Sequence, residues 1–319
     1  MSGRPGRGRR TRQGIARRNS SHGCVTWASS ESVPNSGDMF VRLPPVIASQ
    51  QDKTPAPLVS LIVPRSEVGE RLEQTVDELG AQTYPATEIV MVDDDARQPL
   101  PAQVLDRYAA SGIAVIHEEG RGLAAALNAG IRRCTGELFM PIAGDVLEPP
   151  YVARAVIRML ADPQAGVVYG GSDTEGSPAE PGFSLKQQLL QNSVCLSALF
   201  RTDHWRRVGG FDERMRDEAA GHDYIMRLLD IGRSVYRLEG SYLHHRTGRP
   251  AVEGRAGIAD RIPGTREQRR DWVSDHARIM RNNADFYVDH ADLLWEQIFD
   301  LMDERDELRH RVAALGRSR

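Results

Sequence analysis

Short, nearly continuous apolar runs alternate along this chain with segments in which apolar residues recur every three or four positions. The first run, Leu58-Val59-Ser60-Leu61-Ile62-Val63, has almost no polar relief, as expected of a strand covered on both faces. Val68, Leu72, Val76 and Leu79 then take helical spacing and predict a helix over 67–82. A second buried strand is predicted over 88–92 and ends in Asp93-Asp94-Asp95. Helices are predicted over 102–110, 123–133 and 151–160, with strands over 113–116, 137–142 and 166–169. Further on, the pattern predicts a helix at 185–191, a strand at 194–200, a helix at 224–231 and a strand at 234–238. Strands that alternate with helices imply βαβ units, whose right-handed crossovers lead to an α/β fold with a doubly wound, mostly parallel sheet flanked by helices.

Three stretches fall outside this rhythm. Residues 1–56 are rich in Arg, Gly, Ser and Pro with no apolar period, and are expected to be a disordered basic tail and linker. Residues 170–182 read as a loop and a candidate lid, and 246–265 as an irregular linker. Residues 266–319 read as a helical extension behind a 57–245 domain. Leu294, Ile298, Leu301, Arg305, Leu308, Val312 and Leu315 alternate spacings of four and three, which is the seam of a coiled coil. Such a seam serves either a homodimer through 294–315 or packing of the helix on its own domain.

Charge changes the picture modestly. The 319 residues carry 41 basic and 44 acidic side chains, for a formal net charge of -3. Residues 1–50 hold eight Arg against Glu31 and Asp38, a net of +6, so the remainder carries -9. An acidic body argues against a nucleic-acid binder, because phosphate neutralisation needs a basic face. Lys53 and Lys186 are the two lysines, so any anion must be met by Arg, backbone amides or a metal. Cys24, Cys134 and Cys195 lie far apart, without disulfide-framework or zinc spacing, and a cytoplasmic location is expected. No apolar run approaches the ~20 residues of a membrane span, though peripheral membrane contact stays open.

In open parallel sheets ligands gather beyond the carboxyl ends of the strands. Here that edge is formed by 64–67, 93–95, 117–122 and 143–146. No GxGxxG follows the first strand and no GxxxxGK[ST] occurs, so neither a dinucleotide fingerprint nor a P-loop is present. Asp93-Asp94 can accept hydrogen bonds from a base or ribose, or form an ordinary turn.

The order of several short stretches is more specific. Val59-Ser60-Leu61-Ile62-Val63-Pro64 opens the series. Gln82-Thr83-Tyr84-Pro85 follows, with Glu88-Ile89 just beyond and then Val92-Asp93-Asp94. Gly120-Arg121-Gly122-Leu123-Ala124-Ala125-Ala126-Leu127-Asn128-Ala129-Gly130-Ile131, Thr135-Gly136-Glu137 and Gly209-Gly210-Phe211-Asp212-Glu213 complete it. Together these resemble the family 2 glycosyltransferases, which have the GT-A fold, over about six-tenths of the chain.

The resemblance implies transfer of a sugar from a nucleotide diphosphate donor to an acceptor hydroxyl, with inversion. It implies a donor pocket of Pro64, Ser66, Asp93, Asp94, Arg121, Gly122 and Asp145. Gly210, Phe211 and Asp212 would lie on the acceptor side. The family's D-x-D metal motif aligns with Ala143-Gly144-Asp145, so one carboxylate remains. A divalent cation (Mn or Mg) would then be held by Asp145 with His244 or His245. The family's basic carboxylate pair aligns with Ala220-Gly221, which leaves Asp223, Glu218 or His222 as the general base. Asp223 also reads as a helix-start carboxylate. Two other functions compete. One is a non-catalytic nucleotide-sugar-binding or scaffolding homologue. The other is a sugar nucleotidyltransferase, which the Pro64-Arg65-Ser66-Glu67 turn does not suit.

Overall fold

The computed structural model describes residues 55–95, 99–171, 182–244 and 265–317. The basic tail, the core of the candidate lid, His245 and most of the 246–265 linker lie outside the described residues.

At the centre runs β1 (Val59–Pro64), with all six residues buried. It pairs in parallel with β2 (Thr87–Asp93) on one side and β4 (Leu138–Pro141) on the other. Beyond β2 lies β3 (Ala114–His117), also parallel. The second half of the sheet reverses once. β7 (Leu199–Arg201) runs antiparallel to both β4 and β6 (Ala165–Gly171), and β8 (Ser234–Ser241) runs parallel to β6. The order is β3-β2-β1-β4-β7-β6-β8. A separate antiparallel pair joins β5 (Val146–Leu147) to β9 (Leu243–His244).

The period of two in β1 divides the core. Leu61 and Val63 point into one apolar cluster with Met91, Leu138, Met140 and Tyr151. Ile62 points into the other with Val90, Val92, Leu127, Phe139 and Phe200. Helix α4 (Leu123–Arg133) lies on the Ile62 face. Gly130 permits this approach, since a Cβ there would sit 2.5 Å from Ile62 Cγ2. Helix α5 (Tyr151–Ala161) covers the opposite face.

Several predicted elements shift. The helix predicted at 67–82 is two pieces, α1 (Arg65–Val68) and α2 (Leu72–Gly80), separated by a 3-10 turn at Gly69–Arg71. Helix α3 (Ala102–Ala110) agrees with the pattern. The apolar run 194–200 supplies only the short β7. Its earlier residues are buried or half-buried irregular chain, which periodicity alone does not separate from strand. The helix predicted at 185–191 is the single turn α6 (Leu185–Gln188). After α7 (Thr202–Val208), helix α8 spans Asp217–Asp230 rather than 224–231. Asp223 is therefore mid-helix, not at a helix start. Acidic residues and Gly221 interrupt the apolar period over the first two turns and hide them from a sequence reading.

The C-terminal region forms α9 (Arg266–Asn282), α10 (Ala284–Asp289) and α11 (Ala291–Arg317). Helix α9 packs on α8, and Ile279, Phe286 and Tyr287 are buried in the same cluster as Ile62. Among the described residues no helix is long and apolar enough to cross a membrane.

Candidate active site

The carboxyl ends of β1 and β2 set one wall of the candidate site. Asp93 and Asp94 end a buried strand and are themselves only 1 % and 5 % exposed. A buried carboxylate is costly unless it is hydrogen-bonded or paired. Asp93 accepts from Arg65 Nη1 at 3.1 Å and from the Leu100 amide at 3.3 Å, and His117 Nδ1 lies 3.2 Å from its Oδ2. Asp94 accepts from the Ser66 amide at 2.9 Å and from the Ser66 hydroxyl. The turn after β1 thus fixes both carboxylates. Pro64 closes β1 in the buried layer, and Ser66 stands exposed beside Asp94. Arg65 and His117 lie in the 64–67 and 117–122 segments of the carboxyl edge, and both reach Asp93 directly.

A second wall begins at Asp145, which is buried just past β4. The Ser197 hydroxyl donates to Asp145 Oδ2 at 2.6 Å and accepts from the Ala143 amide at 3.2 Å. The Ser197 carbonyl in turn accepts from the Tyr151 hydroxyl at 2.6 Å. Gly144 makes the turn with φ +84, and a Cβ there would meet the Glu67 carbonyl oxygen at 2.9 Å. Orientation by a neutral neighbouring hydroxyl is how ligating carboxylates are commonly held, so Asp145 suits one position on a cation. His244 does not join it, because His244 Nε2 lies 2.5 Å from Glu148 Oε1. His245 is outside the described residues. Among the described residues no three His, Cys, Asp or Glu side chains gather as a metal site.

Arg121 and Gly122 precede α4 on the exposed rim. Arg121 Nε donates to Glu118 Oε1 at 2.7 Å and Nη1 donates to Glu213 Oε2 at 3.1 Å. This joins the glycine-flanked turn to the Gly209–Glu213 segment. The stronger link is Asn128, buried in α4. Its Nδ2 donates to the Phe211 carbonyl at 2.9 Å and to Glu213 Oε1 at 3.0 Å. Its Oδ1 accepts from the Phe211 amide at 2.9 Å and from Trp205 Nε1 at 3.1 Å. Two sequence stretches some eighty residues apart are bolted together through one amide.

Gly210 and Phe211 are buried, and with Asp212 they line a cleft of about 460 Å³ together with Trp205, Arg214 and Asn282. Paired hydrogen bonds from the Arg214 side chain hold the Asp212 carboxyl well below the usual carboxylate range.

The three candidate bases lie on α8. Asp223 is fully buried. Arg227 Nε donates to its Oδ2 at 2.8 Å, while Asn282 and Asn283 donate to its Oδ1 at 2.9 and 3.3 Å. His222 is buried, with Nε2 2.6 Å from the Gln188 carbonyl oxygen and its ring 5.8 Å from that of His276. Burial pushes the His222 imidazole down to about 4, and His276 adds to the effect. Glu218 belongs to the first turn of α8. Its side chain is outside the described residues.

The His222 environment carries a stability prediction. A histidine whose folded pKa is depressed binds more protons when unfolded, so its contribution is present at neutral pH. It is lost as pH falls through about 6.5 towards about 4. About 3 kcal/mol is at stake. Thermal melts across this window should show stability falling with acid, and His222→Gln should flatten that dependence. An unchanged slope in the variant would refute the assignment.

Residues 60–213 match the family model described as Glycosyl transferase family 2. That segment of the chain belongs to this family. The O-antigen biosynthesis protein RfbC of Myxococcus xanthus is 30 % identical over 217 residues, which is 64 % of this chain and 17 % of that protein. The amylovoran biosynthesis glycosyltransferase AmsE of Erwinia amylovora is 27 % identical over 63 % of this chain and 79 % of its own length. The chain spans 17–19 % of the length of the first three curated relatives it matches. Among solved structures, mannosyltransferase PcManGT from Pyrobaculum calidifontis, in complex with GDP-Man and Mn2+, superposes with a TM-score of 0.51. The identity is 21 %, covering 82 % of this chain and 81 % of that one. S. aureus TarS 1-349 in complex with UDP-GlcNAc gives 0.50 at 14 % identity, covering 76 % and 80 %. The fold is GT-A, with a C-terminal helical extension.

Proposed function

We propose that this chain moves a glycosyl group from a nucleotide diphosphate sugar to an acceptor hydroxyl, with inversion at the anomeric carbon. The observation that carries this reading is the fixed Asp93–Asp94 pair at the carboxyl edge of the parallel strands, facing the same edge as Asp145. In this reading Pro64, Ser66, Asp93 and Asp94 receive the nucleoside, and Arg121 and Gly122 border it. Asp145 faces the diphosphate. The cleft at Gly210, Phe211 and Asp212 receives the acceptor. The acceptor oxygen attacks the anomeric carbon as the bond to the diphosphate oxygen breaks, and its proton passes to a base.

Among the candidate bases, the ties of Asp223 and the burial of His222 favour structural roles. That leaves Glu218 as the carboxylate proposed to take the proton. Asp145 is the residue proposed to contact a divalent cation, and a bound cation would supply positive charge against the departing diphosphate. Among the described residues Cys134 is a buried free thiol, which supports a reducing, cytoplasmic setting.

A specific observation favours a second reading, a binder without turnover. The base-pair positions are Ala220, which is buried, and Gly221, and the first metal position is Ala143. One experiment separates the two. Purified protein is offered a panel of nucleotide sugars with Mn2+ or Mg2+, and released nucleoside diphosphate is recorded beside calorimetric nucleotide binding. Turnover that EDTA abolishes is the expected result. Binding without turnover for every donor supports the second reading, and no binding at all overturns both.

A further inference from the structure

The exposed apolar residues of the C-terminal helices stand in two unlike settings. Leu308, Val312 and Leu315 on α11 follow the acidic run Asp303, Glu304, Asp306 and Glu307. Those of α9 stand among arginines. Val273 and Met280 are 59 % and 40 % exposed. Helical spacing sets them on one stripe with Arg266, Arg269, Arg270 and Arg281, about a third of the way round the helix. All four arginines are exposed. Trp272 borders the stripe and is stacked on His276, with ring centroids 3.6 Å apart.

Helix α9 contributes no carboxylate to this stripe. Asp271 and Asp275 point the other way and pair with Arg216, at the start of α8, at 2.5 and 2.9 Å. Glu267 projects from the flank. Arg266, Arg269 and Arg270 also crowd the first turns of α9, the positive end of the helix dipole, where cations are disfavoured. An anion laid against them removes that repulsion. We propose that this face of α9 docks on an anionic lipid surface.

Charge complementarity and the placement of the apolar side chains carry the choice of partner. Arginine forks fit the phosphate oxygens of lipid headgroups, and Val273 and Met280 between them reach the headgroup–acyl boundary. Basic residues interleaved with apolar ones are how a helix rests in a membrane interface. A nucleic acid would use the arginines and leave Val273 and Met280 idle, and the ring at the edge, Trp272, is already engaged by His276. Asn282, at the far end of α9, lines the cleft proposed for the acceptor, so docking would hold that cleft about one helix diameter from the lipid. The docking itself requires none of the chemistry proposed above.

Sedimentation of the purified full chain with phosphatidylglycerol–phosphatidylcholine vesicles, beside vesicles of phosphatidylcholine alone, tests the proposal without any turnover. The expected result is binding to the anionic vesicles only, released by raised salt. Residues 1–50 carry +6 of their own, so variants decide where the lipid is held. Arg266→Gln together with Arg270→Gln should weaken binding roughly 25-fold, since each arginine near an anionic surface is worth about fivefold. Val273→Glu should weaken it about tenfold or more, through lost apolar contact and added repulsion. All three positions are exposed, so the thermal melts of the variants should match wild type, which excludes misfolding as the cause. No binding to anionic vesicles overturns the proposal. So does binding that either variant leaves unchanged. Persistence in the arginine variant returns the lipid to residues 1–50, and persistence in Val273→Glu makes the face a general polyanion site, which duplex DNA would then also occupy.

Discussion

Asp145→Asn is expected to lower turnover of the donor by about 10²–10³-fold while nucleotide binding persists. Asn keeps the size of the side chain and an oxygen able to accept from Ser197, so the β4 edge should keep its shape. What is lost is the negative charge placed where a cation and a diphosphate would meet. Ser197 holds that carboxylate at 2.6 Å, and its own carbonyl is tied to Tyr151. The charge is therefore presented in one orientation, and a site that positions charge in advance gains most from it. The check is a donor-hydrolysis rate with saturating Mn2+, beside a calorimetric titration with the nucleoside diphosphate. If Asp145→Asn turns over at the wild-type rate, the diphosphate side of the site has been misplaced.

The second large effect is on stability. Asp223→Ala should cost about 3–5 kcal/mol, because removing one partner of a buried pair leaves the other uncompensated. Arg227 would lose the carboxylate that accepts from its Nε, with its side chain only 16 % exposed, and the amides of Asn282 and Asn283 would lose an acceptor too. Denaturant unfolding followed by circular dichroism reads the loss directly. A catalytic base would behave differently: its removal would depress the rate and leave the unfolding midpoint where it was. A large rate effect with no change in midpoint would return Asp223 to the chemistry and displace Glu218.

The parallel half of the sheet was readable because each strand is a short apolar run and each helix keeps its period. The carboxyl-edge rule then located Asp93, Asp94 and Asp145 without a structure. Other residues gave no such signal. Ser197 lies in an apolar run that reads as strand, and its link to Asp145 spans 52 positions. Asn128 looks like one polar residue on an amphipathic helix until four hydrogen bonds converge on it. The stretches that carried the family resemblance are in part scaffold. Glu88 accepts from the Thr135 amide at 2.6 Å and the Gly136 amide at 3.0 Å. Gln82 Nε2 donates to the Glu148 carbonyl at 3.1 Å, and its Oε1 accepts from the Val152 amide at 3.2 Å. A motif thus marks a family without saying whether its members hold substrate or hold the fold. Only contacts between distant segments decide that, and those are what one-dimensional spacing omits.

The packing of α9 and α10 into the main apolar cluster has a consequence for how the protein can be divided. Ile279, Phe286 and Tyr287 complete the apolar cluster beneath Ile62 and Tyr224, and Asn282 reaches both Asp212 and Asp223. The segment that the family shares stops at residue 213, in the middle of this unit. A fragment ending at 213, or at 244 where the last described strand finishes, would present an uncovered greasy face and leave Asp212 without its Asn282 partner. The smallest autonomous piece of this chain therefore extends through α10. Natural or engineered fusions that exchange the sheet would have to carry those helices with it.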